Sequence, residues 1–276
     1  MQFQIRKKPI TPLIVTIPHS GSFYPKEFLK KKSIDINKLT IMEDYKTNLF
    51  IKDVNLQLTD VFIAKCSRTV VDLNRSRESL DNSMFKSKIE MSPNDEILLI
   101  KSGLGVLPSK CYNEKIFQSK LPNKYISNML KKFYDPFHLQ LKERINYLKS
   151  IFGVVYLIDI HSTPPISNNI SNFPDVIIGN NFGKSCDETF KNYLVSHFQN
   201  FNLNHTLNSP YSGGYITRTY GKKDTNVHAI QVEISKDFYM NQSTLKLNGN
   251  LKILKSIFKN IIKDFSFIKL KKIAAE

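Results

Sequence analysis

The sequence predicts an α/β chain on a mixed β-sheet, because strand-like apolar runs alternate with stretches of helical periodicity and because four runs end in polar residues. The four endings are TIPHSG at 16–21, VVDLNR at 70–75, LIDIHS at 157–162 and IQVEIS at 230–235. Strand ends are held by the sheet yet open onto loops, so side chains distant in sequence can meet there.

PLIVTIPH reads as a strand entering a turn rich in Gly, Ser and Pro. LTIMEDYKTNLFIKDVNLQL spaces its apolar residues as a helix does, which sets Glu43 and Asp44 near that helix's start. VFIAKCSRTVVDLNR returns to strand character, and residues 76–108, polar, turn-rich and ending in GLGVLP, read as a long excursion over the surface. Residues 112–149 predict one or two helices, broken or kinked near Pro136, since proline lacks a backbone donor and crowds the preceding turn. FGVVYLIDIHS is the clearest strand and carries too few charges for a sheet edge, so it is expected at the centre. PDVIIGNNFGKSC predicts a shorter strand with a glycine turn, and CDETFKNYLVSHFQNFN predicts a helix. HAIQVEISKDFYM holds another strand, and residues 244–274 form a helix with apolar stripes. No repeat or compositional break divides the 276 residues, which are enough for one large core, so a single domain spanning 1–276 is expected.

Forty Lys and Arg against 24 Asp and Glu give a net charge of +16, a field that draws anions without selecting among them. The lysines are interleaved with apolar residues, as on solvated helix faces, and RNP, KH and zinc-finger patterns are absent. No specific nucleic-acid partner is therefore expected, and an RNA-binding protein using the basic surface is the alternative from another class. No apolar run is long enough for a bilayer, and MQFQIRKK lacks the apolar stretch of a secretory leader, so no membrane partner and a cytoplasmic location are expected. Cys66, Cys111 and Cys186 form no CxxC pair, which argues against a disulfide framework or a thiolate zinc knuckle. Nothing in the sequence specifies an oligomer.

His19 follows the VTI run, and His161 follows an uninterrupted apolar strand that also carries Asp159, a group able to support a ligand from behind. Two histidines need a carboxylate to complete a three-ligand catalytic metal set, and the adjacent Glu43 and Asp44 are the candidates, only one of which can coordinate. Glu233, flanked by Val232 and Ile234, projects from its strand as a general acid/base would. Arg68, Arg75, Arg77 and Arg218 are the guanidinium groups available to bind a carboxylate or an oxyanion; Asn74 stands beside Arg75, and Asp72 could hold Arg75 in place. Tyr211, Tyr215 and Tyr220 surround Gly213 and Gly214 as an aromatic rim. Ser20 and Ser162 adjoin histidines without a GxSxG elbow, and Cys186 has no assignable activating histidine. GLGVLP and the paired glycines fit neither a dinucleotide fingerprint nor a phosphate loop.

In this order, TIPHSG, EDYKTNLF, RTVVDLNR, GLGVLP, YDPFH, LIDIHSTPP, PDVIIG with GKSCD, NSPYSGGYITRTYG and HAIQVEISKDFYM resemble the N-formylglutamate amidohydrolase family, within the zinc-carboxypeptidase and aspartoacylase-like hydrolases. The resemblance spans most of the chain. It implies a three-layer sandwich with a mixed central sheet and one zinc ion at strand ends, held by His19, His161 and Asp44, with Glu43 as the alternate ligand. It further implies Glu233 as catalytic carboxylate, Arg75 on the substrate carboxylate or acyl oxygen, and Asn74, Tyr215 and Arg218 around the substrate. The implied reaction is hydrolysis of a small N-acyl amino acid such as N-formyl-L-glutamate; a zinc carboxypeptidase or peptide amidase acting on small peptides or cell-wall fragments is the alternative within metal chemistry.

Overall fold

The structure, a computed structural model, describes residues 2–87, 96–165 and 173–273, with side chains described as far as 265. Its main elements are β1 (Gln2–Gln4), β2 (Leu13–Ile17), β3 (Asp60–Ile63), α1 (Asn123–Met129), α2 (Asp135–Phe152), β4 (Val155–Thr163), β5 (Val176–Gly179), α3 (Glu188–Gln199), β6 (His205–Leu207), α4 (Tyr215–Tyr220), β7 (Val227–Ser235) and α5 (Asn250–Ile273). The fold separates into two compact units, one drawn from residues 18–45 and 63–143 with the extreme N-terminus, the other from 3–17, 46–62 and 144–276.

The second unit is built on a seven-stranded sheet of order β1-β3-β2-β4-β7-β5-β6. Strands β2, β4 and β7 run parallel, β5 pairs antiparallel with β7 and parallel with β6, so the sheet is mixed. All nine residues of β4 and all nine of β7 are buried, as expected of central strands covered on both faces. Alternation along β4 sends Tyr156, Ile158, Ile160 and Ser162 to one face and Leu157, Asp159 and His161 to the other. Phe190 of α3 and Phe265 of α5 pack edge-on against Tyr156, which places these two helices over the first face. On the opposite face the amide of Gly214, the N-cap of α4, meets Gln231 of β7. The sheet is thus the middle layer of three. Helix α3 starts where Asp187 accepts the Phe190 amide at 2.8 Å, a standard use of aspartate at a helix N-terminus.

The first unit is shorter in regular structure. A π-helical segment, Leu130–Tyr134, joins α1 to α2, and Pro136 falls in the first turn of α2, so the irregularity expected near the proline takes the form of a π-helical segment. Two sequence expectations are corrected in this region and its flank. The stretch around VVDLNR is not a strand: β3 ends at Ile63, and Val70 and Val71, although buried, direct their amides to the Ser67 carbonyl in a tight turn. Apolar content there reports burial, not a ladder. The helix expected over LTIMEDYKTNLFIKDVNLQL is replaced by short pieces, Ile36–Leu39, Thr40–Met42 and Thr47–Leu49. The Asp44 amide bonds to the His19 carbonyl at 3.0 Å, and Lys46 adopts a left-handed φ of 61°; either one interrupts an α-helix. The excursion over 76–108, of which 88–95 lie outside the described residues, is packed down through buried Leu80, Phe85, Val106 and Leu107. Among the described residues no helix is long and apolar enough to cross a membrane.

A buried ion cluster ties the second unit together. Asp60 at the start of β3 is fully buried and accepts the Arg6 amide at 2.8 Å, the Arg6 Nε at 3.0 Å and the Arg144 Nε at 2.7 Å. Arg6 also donates to the carbonyls of Thr11 and Leu13, which pins the approach to β2. The pairing of Asp60 with both arginines could not be read from the sequence, since the three residues lie up to 138 positions apart. Removing one partner of such a cluster strands buried charge, so Asp60→Ala is expected to lower stability by about 3–5 kcal/mol in urea unfolding. An unchanged unfolding midpoint would show that water relieves both guanidinium groups.

Candidate active site

The parallel register of the central strands aligns polar residues at their C-terminal ends. Thr16 pairs with Asp159, Asp159 with Gln231, and one step further His161 pairs with Glu233. Neighbours in register on parallel strands share a face, so Thr16, Asp159, His161, Gln231 and Glu233 form a polar patch on an otherwise apolar sheet. Thr16 donates to Asp159 Oδ1 at 2.6 Å, and the other carboxylate oxygen lies 3.0 Å from His161 Nε2. A carboxylate only accepts, so His161 carries its proton on Nε2 and offers Nδ1 as ligand atom. Gln231 Nε2 donates to Glu233 Oε1 at 2.8 Å.

In the first unit, His19 sits two residues beyond β2 with its Nε2 2.7 Å from Asp72 Oδ1 and its Nδ1 3.5 Å from Asp44 Oδ2. The same reasoning puts the His19 proton on Nε2, facing Asp72, and the Nδ1 lone pair towards Asp44. Arg68 donates to Asp72 Oδ2 from Nη2 at 2.7 Å and approaches Asp44 at 3.7 Å. The Asn74 amide caps Asp72 at 2.8 Å. Burial works to raise the Asp72 carboxyl, but Arg68, His19 and Arg75 outweigh it and hold the group well below the usual carboxylate range.

His19, Asp44 and His161 each present one ligand atom within 4.8 Å of the others, and all three are buried. Two imidazoles whose far nitrogens are fixed by carboxylates, with one carboxylate alongside, are a donor set suited to a divalent metal ion. Glu43 stands outside that group, its Oε1 accepting the Tyr24 hydroxyl at 2.6 Å. Burial and this contact with Glu43 both push the Tyr24 phenol up.

The remaining candidates occupy distinct settings. Arg75 is held by carbonyls, donating from Nε to Leu104 at 2.9 Å and from Nη1 to Asn74 at 2.8 Å, while the Tyr134 hydroxyl donates to the Arg75 carbonyl at 2.8 Å. Asp72 therefore grips Arg68 and acts on Arg75 only through space, which corrects the pairing expected from the sequence. Arg77 is spent on an exposed pair with Asp135. Tyr215 opens α4, and Arg218, one turn on, donates to the Gly213 carbonyl at 3.1 Å. Tyr211 meets Thr163 Oγ1 through its hydroxyl at 3.1 Å.

The rival nucleophiles are poorly placed. Ser162 points to the opposite face of β4 from His161 and receives the Tyr239 hydroxyl at 3.0 Å within the aromatic core. All three cysteines are buried and free; burial pushes the Cys66 and Cys186 thiols up to about 12 and raises Cys111. Thr16 and Gln231 are supporting residues that the sequence did not single out, and Asp72 and Arg68, both named from the sequence, were not paired there with each other or with His19. Strand alternation alone would have found Gln231, two residues before Glu233.

The sequence matches the N-formylglutamate amidohydrolase family over residues 11–240. The N-formylglutamate deformylase of Pseudomonas putida is 25% identical over 241 residues, covering 84% of this chain and 83% of that protein. That of Pseudomonas aeruginosa is 26% identical over 243 residues, 86% and 85% of the two chains. Among solved structures, an N-formylglutamate amidohydrolase from Ralstonia eutropha JMP134 superposes with a TM-score of 0.89 at 20% identity over 98% of both chains. A gene product of Agrobacterium tumefaciens does so at 0.63 and 15% identity, covering 96% and 92%. The structural likenesses establish the α/β fold with its mixed sheet.

Asp72→Asn keeps the shape of the His19 support but removes its charge. The expected result is a loss of divalent-metal affinity of about 10–100-fold, read by competition with a chromogenic chelator. Because the native Asp72 pKa lies below its unfolded value, the stability it contributes is present above about pH 4 and lost as pH falls through the native value. Wild-type acid unfolding should accordingly begin at lower pH than that of a variant whose Asp72 pairing has been cut by Arg68→Ala.

Proposed function

Since the chain belongs to the N-formylglutamate amidohydrolase family and is a hydrolase of a linear amide, we propose that it removes an N-acyl group, in particular formyl, from an acidic amino acid such as N-formyl-L-glutamate. The observation that carries this reading is the His19, Asp44 and His161 donor set, with Glu233 in register beside His161. Such a set suits zinc, one ion per chain, which when bound would polarise the acyl oxygen and acidify a water.

Glu233 takes the proton from the attacking water and returns it to the departing amine, work that a strand-borne, hydrogen-bonded carboxylate performs without moving far. Asp159 and Asp72 keep both imidazoles in one tautomer through the cycle. Arg75 Nη2 makes no hydrogen bond to a described residue, so this donor serves the oxygen charge that develops at the acyl carbon or a substrate carboxylate. Asn74, Tyr215 and Arg218 contact the amino-acid portion. The net charge of +16 favours the approach of a dianionic substrate to the protein. Residues 1–276 act as one catalytic domain.

The test is formate release from N-formyl-L-glutamate by zinc-loaded protein, with a chelated control. Chelator-sensitive release is expected. Its absence in folded, fully loaded protein, with release of terminal residues from peptides instead, would move the chain to the peptidase reading. Glu233→Gln is expected to cut kcat by about 10²–10⁴-fold with unchanged metal content; undiminished turnover would remove Glu233 from the mechanism. Arg75→Ala should lower kcat/KM by about 10²-fold or more, with Arg75→Lys recovering part of it.

A further inference from the structure

We infer that Gln231 is a positioning residue that ties the orientation of Glu233 to the anchorage of the segment carrying Tyr215 and Arg218. The inference rests on the deformylase reading for its kinetic consequence, but its structural half stands without it.

The carboxamide of Gln231 is engaged at both ends. Its Oε1 accepts the Gly214 amide at 2.6 Å and its Nε2 donates to Glu233 Oε1 at 2.8 Å. The side-chain orientation is forced by chemistry, because an amide N–H needs an acceptor and a carboxylate needs a donor. Glutamine satisfies both demands at once. Aspartate or glutamate would repel Glu233, and lysine could not accept from Gly214.

The segment on the Gly214 side is also fixed elsewhere along the strand ends. Gly179, which pairs with Gln231 across β5 and β7, lies so near the backbone of Ser212 and Gly213 that a Cβ there would come within 2.6 Å of the Gly213 nitrogen. Ser212 accepts the Asn181 amide at 2.7 Å, and Tyr211 contacts Thr163. Gly213 takes a φ of +118°, open to glycine alone, immediately before α4 begins. Gln231 thus links this pinned backbone to the carboxylate assigned to proton transfer. A shift in the 211–220 segment reaches Glu233 through the Gln231 carboxamide.

Two substitutions separate the two bonds. Gln231→Glu keeps an acceptor for Gly214 and loses the donor to Glu233; Gln231→Leu loses both. With N-formyl-L-glutamate or whichever N-acyl amino acid the wild type turns over, Q231E is expected to lose about 10–100-fold in kcat with little change in KM. Q231L should show the same loss and a KM raised about tenfold, since the helix bearing Tyr215 and Arg218 loses its anchor at Gly214. Wild-type kcat in folded, metal-loaded Q231E would overturn the inference. Amide exchange supplies a readout independent of turnover: protection at Gly214 should persist in Q231E and fall about tenfold in Q231L. Equal protection in both variants would overturn the coupling even if the substrate assignment were wrong, whereas an inactive wild type with the expected exchange pattern would sink only the deformylase reading.

Discussion

The register between β2, β4 and β7 is the constraint on which the site depends. A parallel pairing leaves strand-end residues at equal height, and here it sets Thr16, Asp159 and Gln231 in one row and His161 and Glu233 in the next. Side chains on a strand alternate faces, so a slip of β7 by one residue would drive Gln231 and Glu233 into the layer of α3 and α5. Burying these groups is costly unless their polar atoms are bonded, and the observed register bonds them to one another. The same pairing that stabilises the sheet therefore selects the arrangement in which chemistry is possible.

Much of this was legible beforehand, for a physical reason. β4 and β7 are long, apolar and covered on both sides, so their character survives any tertiary context, and a histidine or glutamate within them is conspicuous. Asp159 could be read as a support for His161 from strand alternation alone. Short segments whose shape is decided by single long-range bonds were not legible. The Asp44 amide is captured by the His19 carbonyl, which abolishes the helix that its apolar spacing suggests. The valines before Asp72 are buried as turn residues, and so the expected partner of that aspartate, Arg75, gave way to Arg68. The contrast between Glu43, against the Tyr24 hydroxyl, and Asp44, beside His19, lies in long-range contacts that the sequence does not display.

Positioning in this protein relies on backbone as much as on side chains. Arg75 is fixed by two carbonyls, one of them in the GLGVLP turn, and Arg218 by the carbonyl of Gly213. Carbonyl oxygens restrain a guanidinium without neutralising it, so Arg75 keeps its full charge for an anionic partner. An aspartate in the same place would have satisfied the side chain and cancelled its attraction.

The three cysteines have a practical corollary. Each is buried and unpaired, and those at 66 and 186 stay protonated well beyond neutral pH. Maleimide and disulfide reagents act on accessible thiolates, so the native chain is effectively silent towards them. One cysteine introduced on an exposed turn would become the sole labelling position, which makes fluorescent or spin reporters attachable without first stripping the natural thiols from the core.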